Sequence, residues 1–262
     1  MRVAGGWVRD KLLGKESDDI DIALDDMFGE EFAEMIRSKQ LKENPDEKAG
    51  FGVIKCNSDK SKHLETAVIN VKGMSIDLVN LRSEEYGEDS RVPDIKIGSP
   101  EQDAMRRDLT VNSLFYNINT QQVEDFTGQG LADLEKGVAR TPLEPLKTFI
   151  DDPLRVLRVI RFAQRFSMSI DQQIFDAAHN IELRKAFETK LSYERIMSEM
   201  DKMFAGRNPH ISVLQMHQFG ITSLCIKAPH EIEELTPEII DKLLLVSAAT
   251  CNVMGALFAI IK

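Results

Sequence analysis

The sequence predicts an α+β chain: a mixed α/β sheet domain to about residue 140, followed by an all-α region. Three observations predict it. Strand and helix signals alternate through the first half. The long periodic segments after about Asp151 are helical. Between the two lies "ARTPLEPLK", residues 139–147, where two prolines interrupt any regular element. A length of 262 residues suffices for one large domain or two ordinary ones.

Taken in order, "RVAGG" reads as a strand running into two glycines, and "WVRDKLL" as a short helix closed by Gly14. "DDIDIAL" alternates polar and apolar residues with period two, the pattern of a strand. "GEEFAEMIRSK" places Phe32, Met35 and Ile36 on one helical face, with acids in the first turn. "FGVIKC", "LETAVINV" and "MSIDLVNL" read as three further strands. The polar stretches "KENPDEKAG" and "NSDKSK" read as connections, and Asn44–Lys62 is the expected moving loop. "SPEQDAMRRDLTVNSLFYNI" opens with Ser99 as N-cap, Pro100 as first helical residue and Gln102 at capping-box spacing. "DDPLRVLRVIRFAQRF", "DQQIFDAAHNIELRKAFE" and "SYERIMSEMDKMF" read as three amphipathic helices, and no strand is expected beyond about Asp151.

Composition narrows the function classes. A net charge of -10 argues against a protein that grips nucleic acid with its whole surface, and leaves room for a local basic cleft. The three cysteines, Cys56, Cys225 and Cys251, are far apart and odd in number, which suits a reducing compartment without a disulfide framework. The five histidines do not fall at zinc-ligand spacing with them. Glycines and charged residues fill the first ten positions, so no signal peptide is visible and any targeting segment would precede Met1. The cytoplasm is the expected compartment, with nucleus and mitochondrion left open. "LLLVSAATCNVMGALFAIIK", Leu243–Lys262, has bilayer length but carries Ser247, Thr250, Asn252 and Gly255. It reads as a core helix, no stable membrane association is expected, and its abrupt end suggests that the chain stops inside a domain.

The chemistry-bearing residues start with Asp19 and Asp21, at i and i+2 on an expected strand. Both side chains then point to one face, while Ile20 and Ile22 point to the other. Adjacent carboxylates repel unless a cation sits between them, and a hard divalent ion such as Mg²⁺ suits an all-oxygen set. Asp77 in "SIDLV" could reach the same face from a neighbouring strand. On spacing alone the pattern also suits an exposed polar strand face. Upstream, Gly5 and Gly6 between strand and helix let backbone approach an anion, and Arg9 follows about one turn on. A plain strand–helix turn has the same signature.

Downstream, Asp152, Arg155, Arg158, Arg161 and Arg165 recur at roughly helical spacing, so several share a face. A solvated basic face is one reading. The other is a base reader: cytosine and adenine both present an amino donor beside a ring-nitrogen acceptor. A carboxylate accepts from the first and a guanidinium donates to the second. Uracil and guanine reverse that pattern and leave polar groups unpaired.

In combination these segments resemble the class II tRNA nucleotidyltransferases, the CCA-adding enzymes, whose relatives include bacterial-type poly(A) polymerases. "GGWVRDKLLG…DDIDIA" resembles the family's first motif and "GSPEQDAMRRDLTVNSLFYNI" the second. "DFTGQGLADLEKGVARTP" looks like the third, "DDPLRVLRVIRFAQRF" the fourth and "KLSYERIMSEM" the fifth. "NLRSEEY" and "RRDLTVNSLFYN" are closer in wording to the eukaryotic type. Where the family's fourth motif usually begins Glu-Asp, this chain has Asp151-Asp152. The relatives also carry more helical body and tail, which hold the tRNA elbow.

The resemblance implies a nucleotidyltransferase head over residues 1–140 with a mostly antiparallel or mixed sheet. It implies a helical, nucleotide-selecting neck over 141–205 and a partial helical body over 206–262. It implies template-independent addition of C, C and A to tRNA 3′ ends from CTP and ATP, releasing pyrophosphate, with Mg²⁺ in a two-metal site. A poly(A) polymerase of the same fold and a non-catalytic RNA- or protein-binding remnant are the alternatives. Asp19 and Asp21 would hold the metals, with Asp77 assisting. Gly6, Arg9 and Arg107 would meet the triphosphate, with Asp108 and Asn112 shaping that site. Asp152, Arg155, Arg158 and Arg161 would face the incoming nucleotide.

Overall fold

The computed structural model describes residues 1–43, 51–54, 66–71, 73–85 and 94–226. Apart from residues 51–54, the expected moving loop lies outside them, as does all of Leu243–Lys262. The chain divides into two compact units, Met1–Glu135 and Lys136–Lys262.

In the first unit the strands are β1 (Arg2–Ala4), β2 (Ile20–Leu24), β3 (Phe51–Ile54), β4 (Thr66–Val71), β5 (Met74–Asn80), β6 (Arg82–Glu85), β7 (Asp94–Ile97), β8 (Phe115–Asn117) and β9 (Gln122–Glu124). The helices are α1 (Gly6–Leu12), α2 (Gly29–Glu43), α3 (Pro100–Met105) and α4 (Gly130–Lys136), with a single 3₁₀ turn at Thr110–Asn112. Seven strands form one sheet in the order β3-β4-β5-β2-β1-β8-β9, and β6 and β7 pair apart from it. Within that sheet β2 and β5 run parallel and every other neighbouring pair is antiparallel. The sheet is therefore mixed, as expected.

Period two decides what each face of this sheet carries. Ile22 and Leu24 of β2 pack with Ile76 and Leu78 of β5, and Phe32, Ala33 and Ile36 of α2 cover them. Met35, expected on the same face of α2, is 55% exposed. The opposite face joins Ala4, Ala23, Ala104 and Phe115, with Val79 packed against them. Asp21 and Asp77 belong to this second face, because they share parity with Ala23 and Val79. α3 starts where expected: Ser99 Oγ accepts from the Gln102 amide at 3.3 Å, and Gln102 Oε1 accepts from the Ser99 amide at 2.8 Å.

The second unit contains α5 (Pro145–Asp151), α6 (Leu154–Phe166), α7 (Gln172–Ala178), α8 (Ile181–Lys190), α9 (Tyr193–Phe204), α10 (Pro209–Gln218) and α11 (Thr222–Cys225). Val156, Leu157, Val159, Ile160 and Ala163 line the buried side of α6. They pack at helical spacing, each large aliphatic contributing about 1.5–3 kcal/mol. Two expectations need correction here. "DQQIFDAAHNIELRKAFE" is two helices rather than one, because the Asn180 side chain accepts from the Glu182 amide at 2.8 Å and caps a new start. Strand structure also does not end before Asp151, since Ser169–Ile170 pairs in parallel with Val138–Ala139. Among the described residues no helix is long and apolar enough to cross a membrane.

Candidate active site

The parallel pairing of β2 with β5 sets the centre of the site. It puts Asp21 directly opposite Asp77, so both carboxylates leave the same face of adjacent strands. Asp19 lies just before β2 rather than within it, yet its charge acts on both. Burial first, and then Asp19, push the Asp21 carboxyl up to about 6; Asp77 adds to this, while Arg107 and Arg82 oppose it. Asp77 is raised by burial and by Asp19. Among the described residues no hydrogen bond or ion pair ends on these three carboxylates.

These residues fit a hard divalent cation. The donor set is all oxygen, its members repel one another, and an ion that keeps several waters needs only one or two carboxylates plus substrate oxygens. Among the described residues no three His, Cys, Asp or Glu side chains close around one point.

Arg107 comes from the end of α3. Its Nε and one terminal nitrogen donate to Asp103 Oδ2 at 3.0 and 2.8 Å, and the other donates to the Asn112 carbonyl at 3.1 Å. Asp103 is 2% exposed and also receives Arg106 through Oδ1 at 2.6 Å. Burial works against its charge, but Arg107 and Arg106 outweigh that and hold the carboxyl below its ordinary value. This brace had a sequence signal: Asp103 lies three and four residues before the two arginines, one helical turn away. Arg82, which acts on Asp21, had none, since it sits in a strand pair that periodicity did not reveal.

At the chain's first turn, Gly5 rather than Gly6 is the constrained glycine. Gly5 has φ +68°, its amide donates to the Leu114 carbonyl at 2.8 Å, and a Cβ there would collide with the Arg107 guanidinium. A Cβ on Gly6 would only touch Arg9 at 3.5 Å. Arg9, expected at the triphosphate, is buried: it donates to Asp10 Oδ1 at 2.8 Å and to Asn112 Oδ1. Asn112 in turn donates to Asp108 Oδ1 at 2.9 Å. This network ties α1 to the 3₁₀ turn after Arg107.

In the second unit, Asp152 sits in extended backbone just before α6. Its Oδ1 accepts from the Leu154 amide at 3.2 Å. Arg155 is buried and donates to the Thr148 carbonyl at 3.3 Å. Arg158 is half-buried, with its guanidinium 5.4 Å from the Phe162 ring centre. Arg161 turns to α9, donating from Nε to Glu199 Oε2 at 2.7 Å. Glu199 is 3% exposed, and although burial opposes its charge, Arg161 and Lys202 hold its carboxyl below the ordinary value. The four residues thus share one region, and all are engaged within the fold: Asp152 pairs with Arg195 of α9, and the charge of Arg158 acts on Glu199.

A mixed sheet that presents in-register carboxylates beside a braced guanidinium is the frame of a nucleotidyltransferase head. Residues 1–140 match the poly A polymerase head domain, and the chain belongs to that family. Nucleotidyltransferases of this kind generally use divalent metals. The chain is 52% identical over 216 residues to the mitochondrial CCA tRNA nucleotidyltransferase of Candida glabrata, covering 80% of this chain and 40% of that protein. It is 48% identical over 220 residues to the mitochondrial CCA tRNA nucleotidyltransferase of Saccharomyces cerevisiae, covering 81% of this chain and 40% of that one. The solved Thermotoga maritima CCA-adding enzyme complexed with tRNA superposes with a TM-score of 0.69 at 27% identity, over 95% of this chain and 53% of that one. The chain therefore spans about 40% of the length of the two fungal relatives.

Proposed function

We propose that this chain is the catalytic and nucleotide-selecting part of an enzyme that adds C, C and A to tRNA 3′ ends from CTP and ATP, without a template. The observation that carries this reading is the in-register pair Asp21 and Asp77, with Asp19 and Arg107 acting on the same point. The names of the fungal relatives support the tRNA end as acceptor. In the reaction the terminal hydroxyl oxygen bonds to the α-phosphorus of the nucleotide. The bond from that phosphorus to the bridging oxygen breaks, pyrophosphate leaves, and the hydroxyl proton passes to solvent.

Asp19 and Asp21 hold the divalent ion, for which Mg²⁺ is the hard-cation choice, with Asp77 beside them. When bound, the ion supplies charge neutralisation at the phosphates and a more acidic attacking hydroxyl, and a second ion would share that work. Arg107 offers its charge toward the triphosphate while Asp103 fixes its direction. Gly6 leaves the backbone open to a phosphate, and Arg9 braces that turn through Asn112. Asp152 accepts from the amino group of cytosine or adenine. Arg158, the less buried of the first two α6 arginines, donates to the ring nitrogen. The mitochondrial names of the relatives support the mitochondrion among the compartments considered.

The test is incubation with tRNA lacking its 3′-terminal residues, labelled CTP and ATP, and Mg²⁺, with products resolved by length. Stepwise addition of C, C and A is the expected result. A long A-only product indifferent to CTP would assign a poly(A) polymerase instead, and nucleotide binding without turnover a non-catalytic remnant. Unchanged incorporation by Asp19→Ala would remove the metal assignment.

A further inference from the structure

The segment "KLSYERIMSEM" remains without a role in the scheme above. It supplies α9, whose Arg195 reaches back to the start of α6. One terminal nitrogen of Arg195 donates to Asp152 Oδ1 at 3.2 Å and the other to Asp152 Oδ2 at 2.8 Å. Four residues further along α9, Glu199 accepts from Arg161. Arg195 and Glu199 stand one turn apart on the same helix face. They hold the start and the middle of α6 with ion pairs of opposite polarity.

The consequence is a count of acceptor sites on Asp152. A carboxylate offers about four lone-pair positions, two on each oxygen. Oδ1 uses both, on the Leu154 amide and on Arg195. Oδ2 uses one, on Arg195. One acceptor position remains, on Oδ2, and its direction is fixed because the forked guanidinium holds the carboxylate plane from two points. The Asp152 side chain keeps 18% exposure, so that position is reachable.

We infer that Arg195 is the positioning residue for base selection: it aims the single open lone pair of Asp152 at the exocyclic amino group of cytosine or adenine. This rests on the proposed nucleotide-selecting role of Asp152. A fixed acceptor makes a good bond with an amino donor and meets the carbonyl of uracil or guanine acceptor to acceptor. A carboxylate free to turn about its side-chain bonds can swing away from a carbonyl and let water intervene, so the penalty on the wrong base shrinks. Lys at this position keeps the charge and one donor but loses the fork.

The experiment compares wild type, Arg195→Lys and Arg195→Met in the full chain. Equilibrium dialysis with labelled CTP and UTP is run beside the incorporation assay, and thermal unfolding confirms that each variant is folded. The preference for CTP over UTP is expected to fall roughly tenfold in Arg195→Met, the scale of one well-aligned charge-assisted hydrogen bond, and by less in Arg195→Lys. In an Asp152→Asn background, Arg195→Met is expected to change the preference no further. A folded Arg195→Met that loses rate or affinity equally for both nucleotides would overturn the inference, because a purely structural role predicts that pattern. An equal drop in the Asp152→Asn background would overturn it as well. Failure of the underlying reading looks different: wild type itself would show no preference between CTP and UTP.

Discussion

Two groups of carboxylates in this molecule stand in opposite electrostatic states. On the face of β2 and β5, Asp21 and Asp77 are raised by burial and by Asp19. Among the described residues no cation is paired with them. At Asp103 and Glu199 the burial is deeper, yet both carboxyls are held low by two cations each. Two arginines also act on Asp21, so supply is not the difference there. Arg107 could neutralise Asp21, but Asp103 takes its hydrogen bonds first. A fold that compensates its deepest carboxylates and leaves Asp21 and Asp77 together on one sheet face, with the charge of Asp19 acting on both, leaves that charge for an incoming cation to offset. In the proposed function the compensated group acts as scaffold and the uncompensated group carries the chemistry.

The largest test of this contrast is Asp21→Asn. Removing one of three repelling carboxylates should lower nucleotide incorporation by roughly 10³-fold or more, since several kcal/mol of charge stabilisation go with it. The same change should raise the metal-free Tm at neutral pH. Differential scanning fluorimetry beside the incorporation assay checks both, and a fall in Tm would place Asp21 with the scaffold instead. The reverse is expected of Asp103→Asn, which among the described residues leaves Arg106 hydrogen-bonded to Glu84 alone and Arg107 to the Asn112 carbonyl alone. Its cost is about 3 kcal/mol in urea unfolding at pH 7, at the low end for a broken buried pair because the arginines keep 17% and 19% exposure.

That cost has a pH signature. The Asp103 carboxyl is lower in the folded state than its ordinary value of about 3.9. Its stabilisation is therefore complete above that value and is lost as pH falls through the lower, folded one. The stability difference between wild type and Asp103→Asn should shrink as pH falls below that ordinary value, and urea titrations at neutral and acid pH would sharpen or break the comparison.

A smaller effect separates the two glycines. Gly5→Ala must hold φ +68° and push on Arg107, for about 1–3 kcal/mol. Gly6→Ala should change stability by less than about 0.5 kcal/mol, because helix propensity offsets the added contact. Equal losses would mean that Gly5 is not the constrained position of the turn. Smallest of all, burial pushes the Cys225 thiol up to about 12, so it should stay unmodified by a thiol reagent in the native protein, as read by peptide mass spectrometry.

Much of this was legible beforehand, for local reasons. The period of two in "DDIDIAL" located β2 with Asp21 on one face, although Asp19 falls just before the strand, and the capping box at Ser99 located the start of α3. The Asp103 brace could also have been read, from spacing within one turn. Other features were not legible because they depend on partners distant in the chain. The break at Asn180 competes with an unbroken apolar period, and the β6–β7 pair shows no alternation strong enough to stand out.

What the sequence by itself determined is the inventory and its local order: a sheet-forming half, a helical half, and carboxylates and arginines at spacings that local geometry turns into shared faces. Only the tertiary structure decided the pairings. Parallel register set Asp77 against Asp21, 56 positions away, and α9 brought Arg195 to Asp152 across 43. It also decided that Gly5 rather than Gly6 is strained, and that Arg9 and Arg161 are held inside the fold. The physical reason is range. Propensity, capping and periodicity act within a few residues. Which cation satisfies which carboxylate depends on distance and burial in the folded state, where each hydrogen-bonding position can be filled once.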